Sequence, residues 1–573
     1  MASCAPSASC AAARSAYVAF PGAPYTHARA LAAARRVLGG AGWAVVDGLG
    51  SSSDSDSSDS SSSSSSNGAT LPGDSSPQAP QGHALYFADY DVLPFSSLLG
   101  SATQAQCSSY VIRKALIRKH HLAHALHAHA LKTHAASREG SSLLDPRSLT
   151  PKTWIVELQF ADELDELLLD ELYDLKAALD AAASASEGEA EQAAEQTWYI
   201  LKPGMADRGH GIRLFHDEAG LRAILEDMEE EESESEQESD GEEKEEEKEK
   251  ANKEEQGDGG MLGQLRHFVI QEYLSRPLLL SPSASPSASA SAFSPRKFHL
   301  RAYVLCVGGL RVYLYDSLLA LFAPLPYASP QAGEAAGEPD PRVHLSNTCL
   351  HADGSSTASG RPAEENVHLF SDLIGSPMLS SSSSSEQAIF TQQQHDACVA
   401  HVAHTLGAVF EAAARANSVH WQTWPNAWEV FGVDLLLGWE DQAQAADEAQ
   451  EPRLRSYLLE VNAQPDFAQS GAKLQGVVEQ LFVRALQLAV LAAPQHTPAS
   501  SSQPASASAS AVDVDTDAAP APAPPAAEGA DGAAARAPAA DSASARAAAA
   551  PWPLFETRDG MRLCLDAQLS KAW

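Results

Sequence analysis

The chain has 573 residues and a formal net charge of −36, with 75 acidic against 39 basic side chains. Its length allows two or three domains, but runs of Ser, Asp, Ala and Pro cannot bury enough apolar surface to fold, which excludes a globular structure for the whole chain. We expect disordered insertions and linkers at 51–66, 281–292, 380–385 and 496–550. The seven cysteines form no CxxC pair, which argues against a disulfide framework or a zinc module.

Charge is distributed unevenly. Residues 226–258 hold 19 acidic and 4 basic side chains, which is typical of a solvated insertion. Residues 113–138 hold six Lys or Arg, six His and no acid, so we expect an anionic partner to dock there, with Arg118 and Lys119 at its centre.

The N-terminal segment has no charged start followed by a long apolar core, so it is a poor signal peptide. The sequence shows no apolar run that approaches about 20 residues. We therefore expect a cytoplasmic protein with no membrane span and no direct contact with nucleic acid.

The first part of the chain predicts a small α/β lobe. SAYVAF at 15–20 has strand character, 26–38 has helical spacing, and WAVVDG at 43–48 is a second strand after a Gly-rich turn. HALYFADYDVLP at 83–94 resumes the same unit after the Ser/Asp insertion.

Residues 109–134 and 163–179 predict two helices, the second of them strongly amphipathic. TWYILKPG is an apolar strand that ends in Lys202; a Gly-rich loop, a short strand and a helix near 217–228 follow. RHFVIQEYL then predicts a strand that ends before Pro277.

The following part predicts a hairpin of long strands that turns at Gly308 and Gly309. A helix at 396–416 precedes a second strand pair, WEVFGVDLLLGWE and RSYLLEVNAQPDF, and 474–490 predicts a closing helix. Residues 551–573 have strand character and enough apolar side chains to dock on a folded lobe.

Oxygen-bearing side chains mark the second strand pair. Glu460 and Asn462 are two apart on a strand, so they share one face, while Asp434 interrupts an apolar strand where an unpaired carboxylate would be costly. Two carboxylates and an amide oxygen suit Mg²⁺, which takes its other ligands from water and phosphates. A structural salt-bridge network is the alternative.

Lys202, with Gly204, Gly209 and Gly211 after it, offers a cation and a loop whose backbone N–H groups can close over a polyphosphate. This pattern is neither a P-loop nor a dinucleotide fingerprint, so by itself it is weak evidence. VIQEYL, an extended segment leaving a strand, is suited to pairing with an adenine edge.

KFHLRAYVL places Lys297, His299 and Arg301 on one face of a strand and apolar residues on the other. The basic face either surrounds an anion or is the solvated face of an edge strand. In the His-rich helix, His120 and His124 have a spacing that zinc could use, but without a nearby carboxylate or Cys a solvated helix face is favoured.

Together and in this order, WYILKPGMADRGHGI, FVIQEYLSRPLLL, KFHLRAYVL, HLSNTCL and WEVFGVDLLLGWE…LLEVNAQPDF resemble the tubulin-tyrosine ligase family of the ATP-grasp superfamily. The resemblance implies an α/β ATP-grasp fold with a small N-terminal α/β lobe and two lobes with mainly antiparallel sheets that hold a nucleotide between them. We divide the chain into an N-terminal lobe at 1–110 with an insertion at 51–82, a central lobe at 111–276 with an acidic disordered insertion at 229–260, a C-terminal lobe at 293–492, a linker at 493–550 and a terminal segment at 551–573.

By that resemblance, the protein uses ATP and Mg²⁺ to activate a protein carboxylate as an acyl phosphate, which the amine of a free amino acid such as tyrosine then attacks. The implied acceptor is an acidic protein tail, and the C-terminus of tubulin is the first candidate. The implied nucleotide contacts are Lys202, Arg208, Gly209, His210, Gly211, Ile212, Gln271, Glu272, Tyr273 and Leu274. The implied catalytic residues are Lys297, His299, Arg301 and Asn347, and the implied metal ligands are Asp434, Glu460 and Asn462.

One residue departs from the family pattern. Family members commonly have an acid where this chain has His299, and such a change resembles a fungal-like branch, some members of which are linked with mRNA-processing bodies. The alternative function is therefore a nucleotide-binding interaction protein that has lost ligation. A third possibility is a carboxylate–amine ligase with a small-molecule acceptor.

Overall fold

A computed structural model gives the fold. It describes residues 14–50, 82–100, 105–136, 148–186, 196–205, 209, 211–238, 266–282, 293–333, 339–347, 366–379, 387–416, 419–440, 453–470, 474–492, 557–567 and 569. The described residues belong to one compact unit, formed by 1–492 and 554–573.

The N-terminal lobe is built on a parallel sheet with strand order β2-β1-β3-β4. Its strands are β1 (Ser15–Ala19), β2 (Ala44–Asp47), β3 (Leu85–Ala88) and β4 (Gln106–Cys107). Helix α1 (Pro24–Val37) connects β1 to β2 and buries Ala30, Leu31 and Ala34, because these residues fall on one face at helical spacing. The predicted strand–helix–strand opening is confirmed.

Short helices α2 (Phe95–Leu98) and α3 (Lys114–Ile117) lead into α4 (Lys119–Ala136), so the single helix predicted at 109–134 is broken at Arg118, whose backbone is extended. Helix α4 packs against the sheet of the central lobe and against the long helix Gln392–Ala416 of the C-terminal lobe. This position places its first residue, Lys119, beside the candidate site.

The central lobe holds an antiparallel sheet with order β5-β8-β6-β7. Its strands are β5 (Thr153–Leu158), β6 (Tyr199–Pro203), β7 (Arg213–Phe215) and β8 (Arg266–Glu272), and its helices are α5 (Leu164–Leu169), α6 (Tyr173–Ser186) and α7 (Glu218–Glu238). The amphipathic helix predicted at 163–179 is split, because the chain turns at Asp170 and the Leu172 N–H returns to the Leu167 carbonyl. Helix α7 continues through the first ten residues of the predicted acidic insertion, since Glu is a good helix former.

The C-terminal lobe holds the largest sheet, whose strands pair in an antiparallel way. Its strands are β9 (Phe298–Val307), β10 (Arg311–Tyr315), β11 (Leu319–Phe322), β12 (Val367–Leu369), β15 (Trp428–Trp439), β16 (Leu454–Asn462), β17 (Thr557–Arg558) and β18 (Met561–Asp566). A separate pair is formed by β13 (Pro377–Leu379) and β14 (Gln387–Ile389), and the helices are α8 (Pro330–Gly333), α9 (Pro341–His344), α10 (Gln392–Ala416) and α11 (Gln475–Leu486). The predicted hairpin turns at Gly308, which has a positive φ of 61°.

Strand β9 lies inside this sheet, with β15 on one side and β10 and β11 on the other. Its even-numbered residues, such as Leu300 and Val304, belong to the main hydrophobic core. On the opposite face, Tyr303 and Leu305 pack into a second core with the N-terminal lobe, while the basic residues at the start of the strand face the central lobe. The alternative of a solvated edge strand is therefore wrong.

Helix α10 is long and apolar enough to cross a membrane by length and composition. However, most of its apolar stretch is buried inside the fold. Its buried residues, including Val402, Leu406 and Phe410, belong to the main core, which is the position of a core helix.

Candidate active site

A pocket lies between the central sheet and the largest sheet, and we call it the central pocket. It contains about 850 Å³ of empty space, counting its open mouth. Its described lining is Lys119, Pro151, Ile200, Lys202, Pro203, Gly209, Ile212, Gln271, Glu272, Tyr273, Leu274, Lys297, His299, His344, Leu345, Ser346, Asn347, Asp434, Leu436, Leu459 and Glu460.

Lys202 reaches the central pocket from strand β6. The side chain is buried, and its Nζ donates a 2.6 Å hydrogen bond to Gln271 Oε1 on β8. Gln271 Nε2 in turn donates to Thr153 Oγ1 at 3.1 Å, so a chain of hydrogen bonds across the sheet orients the lysine. Burial lowers the pKa of Lys202 to about 8.

Lys297, immediately before β9, supplies a second buried cation. Its Nζ lies 3.9 Å from the centroid of the Tyr273 ring, a cation–π contact. The Tyr273 hydroxyl is hydrogen-bonded to His344 Nδ1 at 3.0 Å, which fixes the ring. Burial, with repulsion from Lys202, lowers the pKa of Lys297 to about 7. An anionic ligand would restore the charge of both lysines.

Arg301 and Asp434 are direct neighbours across β9 and β15. Arg301 Nε donates to Asp434 Oδ1 at 2.5 Å, and its Nη2 donates to Oδ2 at 3.0 Å. Burial would raise the pKa of Asp434, but the guanidinium and then His299 hold it below its ordinary value. Burial would lower the pKa of Arg301, but Asp434 raises it above its ordinary value. The site thus contains a buried carboxylate that is ionised.

Glu460 lies directly opposite Asp434 on β16, and an extra residue in β16, Leu459, forms a bulge between the two strands. Such bulges change the direction of neighbouring side chains. Asn462 Nδ2 donates to Asp434 Oδ2 at 3.3 Å and to Glu460 Oε1 at 3.2 Å, so the three predicted metal ligands touch one another. Glu460 Oε2 is also 3.2 Å from Lys119 Nζ.

His299 is buried beside this group, with 6% of its surface exposed. Its Nδ1 shares a 2.6 Å hydrogen bond with the Ser346 hydroxyl, and its Nε2 lies 3.6 Å from Asp434 Oδ1, which is too long for a hydrogen bond. Burial lowers the pKa of His299 despite the nearby carboxylate. A neutral imidazole therefore stands where the family pattern has an acid.

The Gly-rich loop approaches the pocket through Gly209 and Ile212. Gly209 and Gly211 have φ values of 81° and 69°, a conformation that other residues rarely adopt. A Cβ on Gly209 would lie 2.9 Å from Asn347 Cγ, so the glycine lets the loop approach the predicted catalytic asparagine. Arg208 and His210 lie outside the described residues.

The predicted adenine segment, Gln271 to Leu274, lines the central pocket. The backbone N–H of Glu272 donates to Lys152, however, and that of Tyr273 donates to Trp198, so these two amides already have partners. Leu274 packs directly over Gly438, where a Cβ would lie 2.5 Å from its Cδ2. Side chains from the segment, with Ile200 and Leu436, give the pocket an apolar wall.

Sequence reasoning missed several lining residues. The sequence pattern predicts Lys119 on a docking surface, but in the structure it pairs with Glu460 inside the site. His344 and Ser346 belong to the motif HLSNTCL, for which the resemblance implies a role only for Asn347. Their alternating positions in that motif were the signal that could have identified them.

The histidines of α4 are not a solvated face throughout. His120 has 4% of its surface exposed and its ring stacks on His267 of β8, with centroids 4.4 Å apart. Within the described ranges, no group of three or more His, Cys, Asp or Glu side chains is spaced to hold a metal ion by itself. A zinc site built on His120 and His124 therefore has no support in the described residues.

Comparison with known proteins shows that the chain is similar to one protein family. The model of the tubulin-tyrosine ligase family matches residues 162–498. The probable tubulin–tyrosine ligase of Schizosaccharomyces pombe is 34% identical over 415 residues, which cover 71% of this chain and 82% of the relative. The probable tubulin–tyrosine ligase PBY1 of Saccharomyces cerevisiae is 31% identical over 405 residues, 69% of this chain but only 44% of the longer relative.

A solved structure is also similar. It is the C-terminal domain of K. lactis Pby1, an ATP-grasp enzyme that interacts with the mRNA decapping enzyme Dcp2. The TM-score is 0.46 and the sequence identity 23%, with 85% of this chain and 97% of that chain covered.

Proposed function

Because the chain belongs to the tubulin-tyrosine ligase family, we propose that it is an ATP-dependent ligase that joins the amine of an amino acid to a carboxylate of a protein. One observation carries this proposal. Lys202 and Lys297 line the same pocket as Asp434 and Glu460, and Arg301 is bonded to Asp434; this is the charge arrangement that a bound triphosphate and its cation require.

The cations have separate roles in this proposal. Lys202 and Lys297 hold the phosphate chain, since burial makes their charge costly without an anion. Tyr273 and Leu436 contribute to the apolar wall that the adenine ring contacts. Arg301, fixed by two hydrogen bonds to Asp434, keeps that carboxylate ionised and in place beside the phosphates.

The side chains on the paired strands β15 and β16 have the chemistry of magnesium ligands. Asp434 and Glu460 provide carboxylate oxygens that both accept from the Asn462 amide nitrogen, and Mg²⁺ needs only one or two protein carboxylates besides phosphates and water. When bound, the ion neutralises charge on the phosphates. The amide of Asn462, whose nitrogen donates to both carboxylates here, would turn its oxygen toward the ion.

The chemistry requires two transfers. An oxygen of the acceptor carboxylate attacks the γ-phosphorus of ATP, and ADP leaves. The amine of the amino acid then attacks the carbonyl carbon, phosphate leaves, and the amine loses a proton as the amide forms. The proposed first acceptor is the acidic tail of tubulin, the proposed amino acid is tyrosine or a similar one, and the proposed location is the cytoplasm.

Incubation with ATP, Mg²⁺, tubulin and each labelled amino acid tests the proposal. We expect incorporation of one amino acid, reduced about 100-fold or more by Asp434→Ala and by Glu460→Ala, because each removes preorganised charge at the reacting phosphates. Glu411→Ala, which removes an exposed carboxylate paired with Arg415 on α10, is the matched control and should have no effect. Incorporation that survives both site variants would refute the proposal.

A second candidate is a nucleotide-binding interaction protein without ligase activity. The observation that favours it is that Arg301 holds Asp434 through two hydrogen bonds while a neutral His299 lies beside them. The position of His299 therefore lacks the carboxylate that the family resemblance implies. Thermal stabilisation by ATP and Mg²⁺ without incorporation of any amino acid would support it. Incorporation gained by His299→Asp would identify the missing acid as the cause.

A further inference from the structure

All four carboxylate oxygens of the predicted metal ligands face a nitrogen donor. Asp434 Oδ1 accepts from Arg301 Nε at 2.5 Å, and its Oδ2 accepts from Arg301 Nη2 at 3.0 Å and from Asn462 Nδ2 at 3.3 Å. Glu460 Oε1 accepts from Asn462 Nδ2 at 3.2 Å, and its Oε2 lies 3.2 Å from Lys119 Nζ. These are the distances of hydrogen bonds and close ion pairs, so the carboxylates are satisfied by the protein's own side chains.

The charges around these oxygens balance as well. The guanidinium of Arg301 compensates the charge of Asp434. The ammonium of Lys119 compensates that of Glu460. Burial lowers the pKa of Lys202 and repulsion from Lys119 adds to the effect, so these two cations lie within electrostatic range of each other. A divalent ion that arrives alone would therefore meet neutralised carboxylates beside further positive charge.

The two cations that hold the carboxylates differ in how firmly they are fixed. Arg301 binds Asp434 through two hydrogen bonds across paired strands, and its side chain is 14% exposed. Lys119 meets Glu460 through a single ammonium contact, and the Glu460 side chain is 25% exposed. A planar guanidinium binds a carboxylate more rigidly than an ammonium on a flexible stem does. Lys119 is therefore the cation that another ligand of Glu460 can replace.

The fold fixes the backbone at Lys119 and leaves the movement to its side chain. Lys119 begins helix α4 directly after the extended backbone of Arg118. The next residue, His120, is 4% exposed and stacks on His267, with ring centroids 4.4 Å apart. The Leu122 N–H donates to the Arg118 carbonyl at 2.9 Å. A change of rotamer in this lysine, with no movement of the helix, is then enough to release the carboxylate.

We propose that Lys119 is an internal cation that keeps a divalent ion off Glu460 until a nucleotide binds. Because its ammonium neutralises the carboxylate, the ion enters with the triphosphate, whose phosphates supply the missing negative charge, and not ahead of it. The inference rests on the proposed function, since it concerns the same carboxylates, and it adds an order of binding to that function.

Binding of Mn²⁺ to the full-length protein without nucleotide tests this. Mn²⁺ takes the same kinds of oxygen ligand as Mg²⁺, and its electron paramagnetic resonance signal measures the unbound ion. Lys119→Met and Lys119→Gln each remove the charge and leave Glu460 without its cation. We expect both variants to bind one Mn²⁺ about tenfold or more tightly than the wild-type protein, because a partly buried carboxylate without a partner gains most from a cation.

Three further variants locate the effect. Lys119→Arg keeps the positive charge and should keep the weak binding of the wild-type protein. Lys119→Met combined with Glu460→Gln removes the carboxylate itself and should lose the gain. Lys132→Met is the matched control, since Lys132 is an exposed lysine of the same helix and its loss changes the net charge equally. All variants keep the acidic residues 226–258, so ions that bind there contribute equally, and thermal unfolding shows that each variant is folded.

Equal Mn²⁺ affinity in the wild-type protein and both neutral variants would overturn the inference, and so would a gain that survives Glu460→Gln. An equal gain in Lys132→Met would overturn it too, because net charge alone would then explain the binding. A gain that depends on Glu460, without incorporation of any amino acid, would refute only the ligase. Incorporation together with equal Mn²⁺ affinities would refute only the role of Lys119.

Discussion

At the residue scale, the site is defined by how charges compensate one another. Arg301 and Asp434 neutralise each other through two hydrogen bonds, and Lys119 lies against Glu460. Lys202 and Lys297 have no such carboxylate partner at contact distance in the described part of the chain; a glutamine and an aromatic ring contact them instead. An anionic ligand would therefore compensate the charges of these two lysines.

This imbalance predicts proton uptake on nucleotide binding. The pKa values of Lys297 and Lys202 are lowered to about 7 and about 8, so both are partly deprotonated at pH 7.5 in the free protein. Phosphates favour the ammonium form, so binding takes up about one proton at pH 7.5, and affinity falls as the pH rises from 7 to 9. Calorimetry in two buffers of different ionisation enthalpy measures the uptake.

The variant Lys297→Met should remove most of that uptake, because the group that is mainly deprotonated at pH 7.5 is gone. Lys114→Met, at an exposed position on α3, is the control and should leave it unchanged. If nucleotide binds with no uptake in the wild-type protein, the two lysines do not contact its phosphates.

At the scale of elements, helix α4 has the composition of an exposed basic helix, although part of it is buried. Its basic and histidine-rich composition indicates a docking surface, but its N-terminal end packs against the central sheet and Lys119 pairs with Glu460 of β16. His120 stacks on His267 of β8, while His121 stacks on His420 in the connection between α10 and β15. These stacked rings join α4 to the central sheet and to that connection.

The stacked histidines predict that the folded protein is less stable in acid. Burial, with repulsion from neighbouring histidines and Arg118, lowers the pKa of His120 from 6.5 to about 3. Between these values the unfolded chain binds a proton that the folded chain does not, so the free energy of unfolding falls as the pH drops from 7 to 5, by about 1 kcal/mol from this group after allowance for solvent screening.

Chemical denaturation at pH 7 and pH 5 measures this difference, and His120→Gln should reduce it. His124→Gln, on the exposed side of the same helix, is the control. An equal pH dependence in the wild-type protein and His120→Gln would show that the stack does not titrate as the structure indicates.

At the scale of the whole molecule, the last described strand completes the largest sheet. Strand β18 pairs with β10, and it contributes Met561 and Cys564, which are 1% and 4% exposed, to the two large cores. Gly407 of α10 approaches it so closely that a Cβ would lie 2.7 Å from the Cys564 carbonyl oxygen. The terminal segment is thus part of the same folded unit as the site.

This packing predicts a stability cost far from the site. Met561→Ala should lower the free energy of unfolding by about 2–5 kcal/mol, because it leaves a cavity in a buried position. Asp566→Ser, at the exposed end of the same strand, should change it by less than about 0.5 kcal/mol. Denaturant titration of both variants checks the prediction, and equal stabilities would show that β18 is not docked on β10.

The sequence by itself determined the family, the mixed α/β fold class and most of the elements. These follow from local properties, since side-chain alternation on β9 and β15 and helical spacing in α1 and α10 are readable within short windows. The sequence did not predict the breaks inside the helices at 109–134 and 163–179. Neither Arg118, where the backbone is extended, nor Asp170, where the chain turns, is a Gly or Pro that would indicate the end of a helix.

Only the tertiary structure decided which of the polar residues meet. Arg301, Asp434 and Glu460 come from three strands whose register places them side by side, and register depends on pairing between distant segments. The same is true of Lys119, which helix α4 brings to Glu460. No local pattern records such long-range neighbours, because packing brings them together only when the sheets and helices assemble.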